Sequence, residues 1–368
     1  MQRVDIAFLT IAFQRGGAER VISTLSHSLK FTSMLVLYAD AKLGYPFNGK
    51  VMCLDGSSPS RIWPSRFLRR VIRLHHVLKN FRVSRLISFM PRPNILALLL
   101  KWSGLYCGQL IINEVSVLSR RPIGSTMKWC ITHLYSKADL IVVPSRYIRD
   151  ELVDRFGVPA NKVSIIHNPF DLKAIAQLLL EPITLPWTDK DVRIVVSAGR
   201  LTALKGFDVL IKAFAAVRSK MNVRLMILGD GECDAQLRQL AAELGLTSDI
   251  YFAGWQSNPY AFFARADIFV LSSHNEGFGN VIVESMCCGL PVISTDCPGG
   301  PAEILGDGEY GILVPPNNPE ALADAILRVL QNDELRQFLA RISLVRCQDF
   351  DVSTIVKRWN EEVAPCHV

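Results

Sequence analysis

Short apolar runs alternate with helix-forming segments along almost the whole chain, and this alternation limits the folds open to it. In the first half, the runs that read as buried strands are VDIAFLT, MLVLY, RLISFM, QLIINE, DLIVVPS and KVSIIHN. Segments with helical spacing of apolar residues, such as AERVISTLSHSLK and TMKWCITHLYSKA, lie between several of them. Strands that alternate with helices form parallel sheets covered by helices. The sequence therefore predicts an α/β fold with doubly wound sheets.

A break near the middle of the chain divides this pattern into two series. Residues 181–191, EPITLPWTDKD, are rich in proline, threonine and charge, and a second series then runs through RIVVSAGR, VRLMILGDG, DIYFAGW, DIFVLSS and PVIST. A chain of 368 residues can form two domains, each with its own core. We predict Rossmann-like domains over residues 1–175 and 190–350, which face a central cleft, and a helix over residues 351–368 that packs back toward the first domain.

Composition excludes several classes of protein. The N-terminus, MQRVDIAFLT, carries Asp5 inside its apolar run and does not resemble a signal peptide. No apolar run reaches the roughly 18 to 20 residues of a membrane-spanning helix. The nine cysteines show neither a C-x-x-C pair nor a spacing suited to zinc, which fits reduced thiols in the cytosol. We therefore expect a cytoplasmic protein.

Three glycine turns that follow predicted strands suit a ligand with phosphate groups. Gly16 and Gly17 precede the first helix, where free N–H groups and the helix dipole attract anions. Arg200 and Lys205 lie beside a helix start in SAGRLTALKG and suit a diphosphate. Gly229 lies in LGDGE, a turn compatible with a nucleotide base, although the incomplete G-x-G-x-x-G gives a dinucleotide site poor support. Each turn can also be purely structural.

Two carboxylates flank a further glycine turn in HNEGFGNVIVE, residues 274–284. Glu276 lies in the loop, where it can hold sugar hydroxyls. Glu284 lies about one turn into the following helix and can accept the hydroxyls of a ribose, or it can simply stabilise the helix dipole. Five residues between them complete the predicted donor-binding segment, in which the helix-start amides face phosphate or sugar: Gly277, Phe278, Gly279, Asn280 and Val281.

Positive charge is concentrated in the first domain. Residues 1–170 contain 24 lysines and arginines against nine acidic residues, and no acidic residue lies between Asp55 and Glu114. In WPSRFLRRVIRLHHVLKNF, six residues at steps of three and four form an apolar stripe: Trp63, Phe67, Val71, Leu74, Leu78 and Phe81. Four cations fall on the other faces: Arg66, Arg69, Arg70 and Arg73.

This basic amphipathic helix has two interpretations. It can lie on an anionic membrane, where it would also attract a pyrophosphate-linked lipid. It can equally pack on the sheet through its apolar stripe, with the arginines in water. Nucleic-acid binding is disfavoured, because no recognised RNA-binding or DNA-binding module surrounds the helix.

The motifs together resemble a known family. The matching stretches are GGAER, GRLTALKG, LGDGE, EGFGNVIVE, GLPVIST and GGPAEIL, and they resemble glycosyltransferase family 4, retaining enzymes of GT-B fold. The resemblance spans nearly the whole chain and is most specific in the second domain. It implies that Gly17, Arg200 and Lys205 contact the diphosphate of a nucleotide-sugar, that Glu276 contacts the transferred sugar, and that Glu284 binds the ribose. UDP-sugars are common donors in this family, and GDP- and ADP-sugars also occur.

The chain departs from the family at one position. Many members carry a histidine in the first-domain loop after the strand that corresponds to QLIINE. Here Asn113 and Glu114 occupy that place, and we assign them to the sugar or acceptor pocket. His133 lies about two dozen residues farther along, inside a helical pattern, and we interpret it as structural.

The resemblance also implies a mechanism. Arg200, Lys205 and helix-start amides neutralise the departing diphosphate, the acceptor attacks from the same face, and the leaving phosphate oxygen takes its proton. The two D-x-D sequences, at 189–191 and 349–351, lie in the linker and near the chain end, so we expect no catalytic metal and no cofactor.

The favoured hypothesis is a peripheral enzyme that extends a lipid-linked glycan at the inner face of the membrane, with a UDP-sugar as donor. A UDP-sugar epimerase of the same fold predicts turnover without an acceptor. A catalytically idle nucleotide-sugar-binding subunit predicts binding without turnover. The motifs identify neither the sugar, nor the linkage, nor the pathway.

Overall fold

A computed structural model describes residues 3–14, 16–38, 43–55, 63–187 and 192–363, without the side chains of residues 63–65 and 363. The chain divides into two compact units. Unit 1 comprises the residues up to Pro169 together with the segment from Val352, and unit 2 comprises Phe170–Asp351. Within the described ranges, no helix is both long enough and apolar enough to cross a membrane.

Unit 1 is built on a seven-stranded parallel sheet. Its strands are β1 (Ile6–Thr10), β2 (Ser33–Leu37), β3 (Lys50–Cys53), β4 (Arg85–Phe89), β5 (Gln109–Asn113), β6 (Leu140–Val143) and β7 (Val163–Ile165). They lie in the order β3-β2-β1-β4-β5-β6-β7. The order reverses between β1 and β4, and in such sheets ligands bind at the carboxyl ends of the strands near the reversal.

Helices cover both faces of this sheet. They are α1 (Gly17–Ser28), α2 (Trp63–Asn80), α3 (Pro91–Trp102), α4 (Ser125–Leu134) and α5 (Arg146–Asp150), the last of which continues into a π-helical turn at Glu151–Arg155. One core lies between the sheet and the side that carries α2, α3 and α4. A second core lies on the opposite side, with α1. The strands are buried on both faces, which explains their continuous apolar runs.

Unit 2 repeats the same architecture around six parallel strands. These are β8 (Arg193–Ala198), β9 (Val223–Leu228), β10 (Ile250–Gly254), β11 (Ile268–Leu271), β12 (Val292–Thr295) and β13 (Ile312–Val314), in the order β10-β9-β8-β11-β12-β13. The helices are α6 (Leu172–Leu178), α7 (Phe207–Arg218), α8 (Asp234–Glu243), α9 (Tyr260–Phe263), α10 (Asn280–Cys287), α11 (Pro301–Ile304), α12 (Pro319–Leu330) and α13 (Asp333–Arg346).

The last helix, α14 (Val352–Val363), belongs to unit 1. Ile355, Val356 and Trp359 are buried in the core that contains α1. Ser164 of β7 donates a hydrogen bond to the carboxylate of Glu362, 2.8 Å away. Unit 1 is therefore assembled from two segments of the chain that are separated by the whole of unit 2.

The predicted fold class, two doubly wound parallel sheets, is confirmed. Two edge strands escaped sequence-based prediction. β3 has four residues, none of them fully buried, and β13 has only three. Strands this short and partly exposed leave neither a continuous apolar run nor a clear alternation.

Candidate functional site

The donor-binding motifs of unit 2 lie at one edge of its sheet. The loops at 199–206, 229–233, 272–279 and 296–300 follow β8, β9, β11 and β12 respectively. Because these strands are parallel, their carboxyl ends meet at the same edge. Segments as much as 100 residues apart along the chain therefore surround one site.

A hydrogen-bonded ion pair joins two of these loops. The Nζ of Lys205 lies 2.5 Å from Oε1 of Glu276, and Ser273 Oγ donates to the same oxygen at 2.6 Å. The Glu276 carboxylate is largely buried, whereas about a quarter of the Lys205 side chain is exposed. Oε2 of Glu276 has no donor among the described residues. The pair thus keeps one carboxylate oxygen and part of an ammonium group available to a ligand.

Lys205 is placed by a turn that only glycine can close without strain. It ends the 3₁₀ turn Ala203–Lys205, and Gly206 follows at φ 60° and begins α7. A Cβ at Gly206 would lie 2.2 Å from the carbonyl oxygen of Ser272. Ser272 Oγ in turn donates to the Lys205 carbonyl at 3.0 Å. The backbone of the lysine loop is therefore fixed against the loop that carries Glu276.

Arg200 differs from Lys205 although the two lie on one loop. Its side chain is exposed and makes no hydrogen bond or ion pair with the described part of the chain. Of the two predicted diphosphate contacts, the structure therefore brings Lys205 against Glu276 and leaves Arg200 in solvent.

Two glycines permit the close approach of neighbouring loops. A Cβ at Gly229 (φ 136°) would lie 1.9 Å from the carbonyl oxygen of Gly199, so the turns after β8 and β9 pack backbone against backbone. A Cβ at Gly299 (φ 130°) would lie 1.7 Å from the carbonyl oxygen of Glu276. Any other residue at either position would force these loops apart.

The rest of the predicted donor segment opens α10. Gly279 caps this helix at φ 101°, and the first N–H groups of a helix lack intrahelical acceptors. Glu284 lies in the second turn and is buried. The ring of Phe278 is also buried and lies edge-on to Phe350, with ring centroids 5.8 Å apart. Three residues of the segment are half-buried: Gly277, Asn280 and Val281.

Three residues that the sequence analysis did not assign support Glu276: Ser273, Thr295 and Pro298. Ser273 Oγ donates to the Glu276 carboxylate, and Thr295 Oγ1 in turn donates to the Ser273 carbonyl at 2.6 Å. The Glu276 N–H donates to the Pro298 carbonyl at 3.0 Å. A signal existed, since Ser273 ends DIFVLSS and the other two fall within or beside GLPVIST and GGPAEIL.

Arg346, at the end of α13, is a further unassigned support. Its guanidinium donates to the carbonyls of Glu303 (2.7 Å) and Ile304 (2.8 Å), and it lies over the rings of Tyr310 and Phe350. These bonds hold α11, which follows directly after the glycine loop at 299–300. No local pattern marks this arginine, because its partners lie more than 40 residues away.

Cys297 lies beside the site but is chemically quiet. Burial, and secondarily the negative charge of Glu276, raise the pKa of its thiol to about 12. At neutral pH the thiol is therefore protonated and is not a nucleophile.

In unit 1, the glycine turn is less constrained than those of unit 2. Gly17 begins α1, and Gly16 caps it with an ordinary extended backbone at φ −138°. A Cβ at Gly16 would meet only the carboxylate of Glu19, the end of a flexible side chain. The fold alone does not require glycine at this position.

Asn113 and Glu114 lie at the carboxyl end of β5. Both are buried, and Oδ1 of Asn113 has no donor among the described residues. The Glu114 carboxylate accepts hydrogen bonds from the Tyr135 hydroxyl (2.8 Å) and the Ser116 N–H (3.1 Å). Burial raises the pKa of this carboxyl to about 7. The predicted pocket residue Glu114 is therefore turned into the interior of unit 1.

The apolar stripe of α2 packs into unit 1. Leu74 and Leu78 are buried in the core. Phe67, Val71 and Phe81 are half-buried against that core. The side chain of Trp63, the sixth residue of the stripe, lies outside the described part. The packed-helix interpretation therefore holds for this face of α2.

The arginines of α2 are not equivalent, which corrects the picture of four cations that face outward. Arg70 makes a two-pronged pair with Asp55 (2.7 and 2.6 Å) and lies over the ring of Tyr38, while Arg73 donates to the Leu54 carbonyl. Arg69 makes no hydrogen bond or ion pair with any residue in the described ranges. Arg66 is half-buried near Asp55, whose pKa its charge helps to lower.

Comparison with known proteins decides the family. Residues 15–174 match the model of Glycosyltransferase Family 4, and residues 187–343 match that of Glycosyl transferases group 1. The chain is 33% identical over 368 residues to a Campylobacter jejuni protein, N-acetylgalactosamine-N,N'-diacetylbacillosaminyl-diphospho-undecaprenol 4-alpha-N-acetylgalactosaminyltransferase. The match covers 97% of this chain and 98% of the relative. The chain belongs to glycosyltransferase family 4.

Solved structures agree on the fold of this glycosyltransferase. Anabaena HepE, crystallised with UDP and glucose, superposes with a TM-score of 0.81 at 21% identity, over 98% of this chain and 100% of that one. The lipopolysaccharide outer core galactosyltransferase WaaB superposes with a TM-score of 0.75 at 22% identity, over 98% and 99%. The glycosyltransferase has the GT-B fold. A shorter stretch of 153 residues is 42% identical to the lipopolysaccharide core glycosyltransferase LpsE of Rhizobium meliloti, 42% of this chain and 44% of LpsE.

Proposed function

We propose that this glycosyltransferase moves a sugar from a UDP-sugar, with retention at the anomeric carbon, to a polyprenyl-diphosphate-linked glycan in cell-surface polysaccharide biosynthesis. The relatives support the acceptor and the pathway: the C. jejuni relative is named for a diphospho-undecaprenol-linked acceptor, and WaaB and LpsE are lipopolysaccharide enzymes. HepE supports the donor, since it was crystallised with UDP and with UDP-glucose.

The ion pair between Lys205 and Glu276 carries this proposal. One N–H of the ammonium is directed to Glu276, so two remain for phosphate oxygens, and Oε2 of Glu276 remains for a sugar hydroxyl. A cation for the diphosphate and a carboxylate for the sugar therefore lie in direct contact. The bond that breaks in glycosyl transfer lies between those two parts of the donor, so we place it at this pair. Arg200, exposed on the same loop, supplies a second charge for the leaving group.

The same pair argues against a covalent glycosyl-enzyme on Glu276. Its Oε1 already accepts from Lys205 and Ser273, and both bonds draw electron density from the carboxylate. We therefore propose attack of the acceptor on the face that the diphosphate leaves, with its proton passing to the departing phosphate oxygen. Charge stabilisation comes from Arg200, Lys205 and the helix starts, and we propose that no metal is needed.

We propose that the enzyme binds the anionic inner surface of the cell membrane. On α2, Leu68 and Ile72 are 59% and 49% exposed, on the side away from the packed stripe, with Arg69 between them. The exposed segment after α3 lies next to this part of α2, because the Leu105 carbonyl oxygen is 2.8 Å from His75 Nδ1. Exposed apolar side chains beside a cation that has no partner within the described ranges fit the headgroup layer of anionic lipids.

The test begins with calorimetric titration of UDP, GDP and ADP, followed by a transfer assay with UDP-sugars and a polyprenyl-diphosphate glycan. UDP should bind saturably. We expect Glu284→Ala to weaken UDP binding about tenfold or more, because a ribose loses a charged hydrogen-bond partner. We expect Glu276→Ala to lower transfer on the order of 100-fold and to leave the affinity for free UDP nearly unchanged. The exposed Glu334→Ala is the control and should match the parent protein.

The outcomes separate the competing functions. Turnover of a UDP-sugar without any acceptor would identify an epimerase, and UDP binding without turnover would identify an idle subunit. Inversion of the anomeric configuration, read by NMR, would refute retention. Loss of transfer in EDTA that Mg²⁺ restores would refute the metal-free proposal. Equal and negligible effects of Glu276→Ala and Glu284→Ala would remove the site assignment.

A further inference from the structure

Two buried carboxylates hold the loop after β5, which we define as residues 114–121. Glu151, from the π-helical turn that follows α5, accepts the N–H groups of Leu118 (2.7 Å) and Ser119 (2.8 Å). Glu114 accepts the N–H of Ser116 at the start of the loop. A π-helical turn of this kind is rare. The β5 loop is thus held at Ser116, Leu118 and Ser119 by carboxylates in the interior of unit 1.

Within the described ranges, no cationic side chain contacts the Glu114 carboxylate. The carboxylate is fully buried, and its two hydrogen bonds come from neutral donors, the Tyr135 hydroxyl and the Ser116 N–H. Arg121, at the end of the loop, favours the ionised form only through space, and Glu151 opposes it. Burial of a charge with so little compensation favours the protonated carboxyl. The pKa of Glu114 is accordingly raised to about 7.

The remaining groups around this carboxyl act through Tyr135. Asn94 of α3 and Cys130 of α4 both face the Tyr135 hydroxyl, whose own pKa burial raises well above its usual value. Tyr135 is therefore a neutral donor across the physiological range. The proton of Glu114 is the one that changes near neutral pH.

The strand end next to Glu114 carries an amide oxygen without a donor. The Asn113 carbonyl accepts from the Met90 N–H and from Asn94 Nδ2, both at 3.2 Å, so the backbone of Asn113 is fixed. Its Oδ1 is buried and has no donor among the described residues. A buried oxygen without a donor destabilises the protein, and the hydroxyl of a ligand can satisfy it.

We propose that Glu114 is a positioning residue: in its neutral form, it holds the β5 loop and Asn113 in the arrangement that receives a hydroxyl of the acceptor sugar. The inference rests on the proposed transferase function. When Glu114 loses its proton to solvent, the buried carboxylate has two neutral donors and no cationic partner among the described residues, so solvent stabilises its charge better than the interior does. The carboxylate then turns outward, which breaks its bonds to Tyr135 and Ser116 and releases the loop. Acceptor binding is therefore lost as pH rises through neutrality.

The first test is the pH profile of acceptor kcat/KM between pH 5.5 and 9. For the parent protein, we expect kcat/KM for the acceptor to fall about tenfold per pH unit above the midpoint, through a higher KM, while UDP affinity stays constant. Glu114→Gln keeps the shape and cannot ionise, so its profile should be flat. Tyr135→Phe removes a donor that stabilises the carboxylate, so its midpoint should move to higher pH. Glu361→Gln, exposed on α14, is the control and should keep the parent profile.

Thermal stability gives a second readout that needs no acceptor. The folded pKa lies above the ordinary value of 4.5, so the contribution of Glu114 to stability is complete below that value and is lost as pH rises through about 7. From pH 6 to 8.5, the Tm of the parent should therefore fall relative to that of Glu114→Gln. If this relative fall is absent, or if both proteins share one kcat/KM profile, the proposal is wrong.

These readouts separate the failure of this proposal from failure of the proposed function. If the parent transfers no sugar at any pH, the transferase proposal fails, while the relative Tm still decides the role of Glu114. If Glu114→Gln does not fold, the Tyr135→Phe profile decides: an upward shift supports the proposal, and an unchanged midpoint overturns it.

Discussion

Gly299 shows how one residue without a side chain positions another that has chemistry to perform. Its φ of 130° and its contact with the Glu276 carbonyl leave no room for a Cβ. The benefit falls on Glu276, whose N–H is held by the neighbouring Pro298 carbonyl and whose carboxylate is held by Lys205 and Ser273. Backbone packing thus sets the direction of the carboxylate before any ligand arrives.

We predict that Gly299→Ala reduces both stability and transfer. The left-handed backbone alone costs about 1–2 kcal/mol for alanine, and the clash with Glu276 displaces the carboxylate in addition. Gly308→Ala is a matched control, because Gly308 has a φ of 103° and nothing within 4 Å of its added Cβ. Urea unfolding should show a larger loss for Gly299→Ala, and only that variant should lower kcat with the UDP-sugar. Equal losses in the two variants would show that backbone strain, and not the packing on Glu276, is what matters.

At the residue scale, the sequence predicts which residues belong to the candidate site, but it does not predict the contacts between them. Lys205 and Glu276 belong to recognisable motifs, but they are 71 positions apart, and no local pattern encodes the bond between them. The same limit applies to Arg346. Glu114 was expected at a pocket and is instead buried, because the direction of a side chain at a strand end depends on the loop that follows. Oriented contacts of this kind arise only from tertiary packing.

The three faces of helix α2 have different surroundings. The packed face carries Leu74 and Leu78, a second face is tied to the strand-end loop through Arg70 and Asp55, and a third leaves Leu68 and Ile72 exposed. The periodicity of the sequence predicted the helix and its apolar stripe, but it left open whether the stripe packs on the sheet or lies on a membrane. It could not separate the bound arginines from the unbound ones, because Asp55 lies outside the helix and in a different pattern.

We predict that two neighbouring substitutions on α2 affect different properties of the protein. Arg70→Ala should lower the free energy of unfolding by about 1–3 kcal/mol, because it leaves the largely buried Asp55 unpaired. Arg69→Ala should leave stability within about 0.5 kcal/mol of the parent and weaken binding to anionic vesicles, measured by cosedimentation.

The Asp55 pair also gives this prediction a pH dependence. The hydrogen bonds from Arg70 hold the pKa of Asp55 below its usual value. The stabilisation is therefore present above that usual value and is lost as pH falls through the lowered one. The stability difference between Arg70→Ala and the parent should shrink in acid.

If Arg69→Ala binds vesicles as the parent does, Arg69 has no part in the proposed membrane contact.

The whole molecule is two units interleaved along one chain. The chain leaves unit 1 after Pro169 and returns at Val352, and a bridge between Phe170 and Asp351 pairs the two connecting segments. The repetition of strands and helices in the sequence was sufficient to predict two sheets of one class. The last helix is also predicted from the sequence to pack back toward the first domain, and in the structure α14 belongs to unit 1.

We predict that Trp359→Ala destabilises unit 1 selectively. The indole is almost fully buried in the core with α1, and removal of a side chain of this size costs about 3–5 kcal/mol. Hydrogen exchange should rise in β1 and α1 and stay unchanged in β8 and β9. The exposed Lys357→Ala, on the same helix, should alter neither. A uniform rise across both sheets would mean that the units unfold as one.

The position of α14 has a consequence for synthesis on the ribosome. All seven strands of unit 1 emerge early, yet the helix that covers one side of them is translated only after the whole of unit 2. For that interval, apolar side chains such as Ile22 and Leu25 lack their final neighbours. A nascent chain stalled before codon 352 should therefore be a client of chaperones that recognise exposed apolar surface, and release of the last helix should end that dependence.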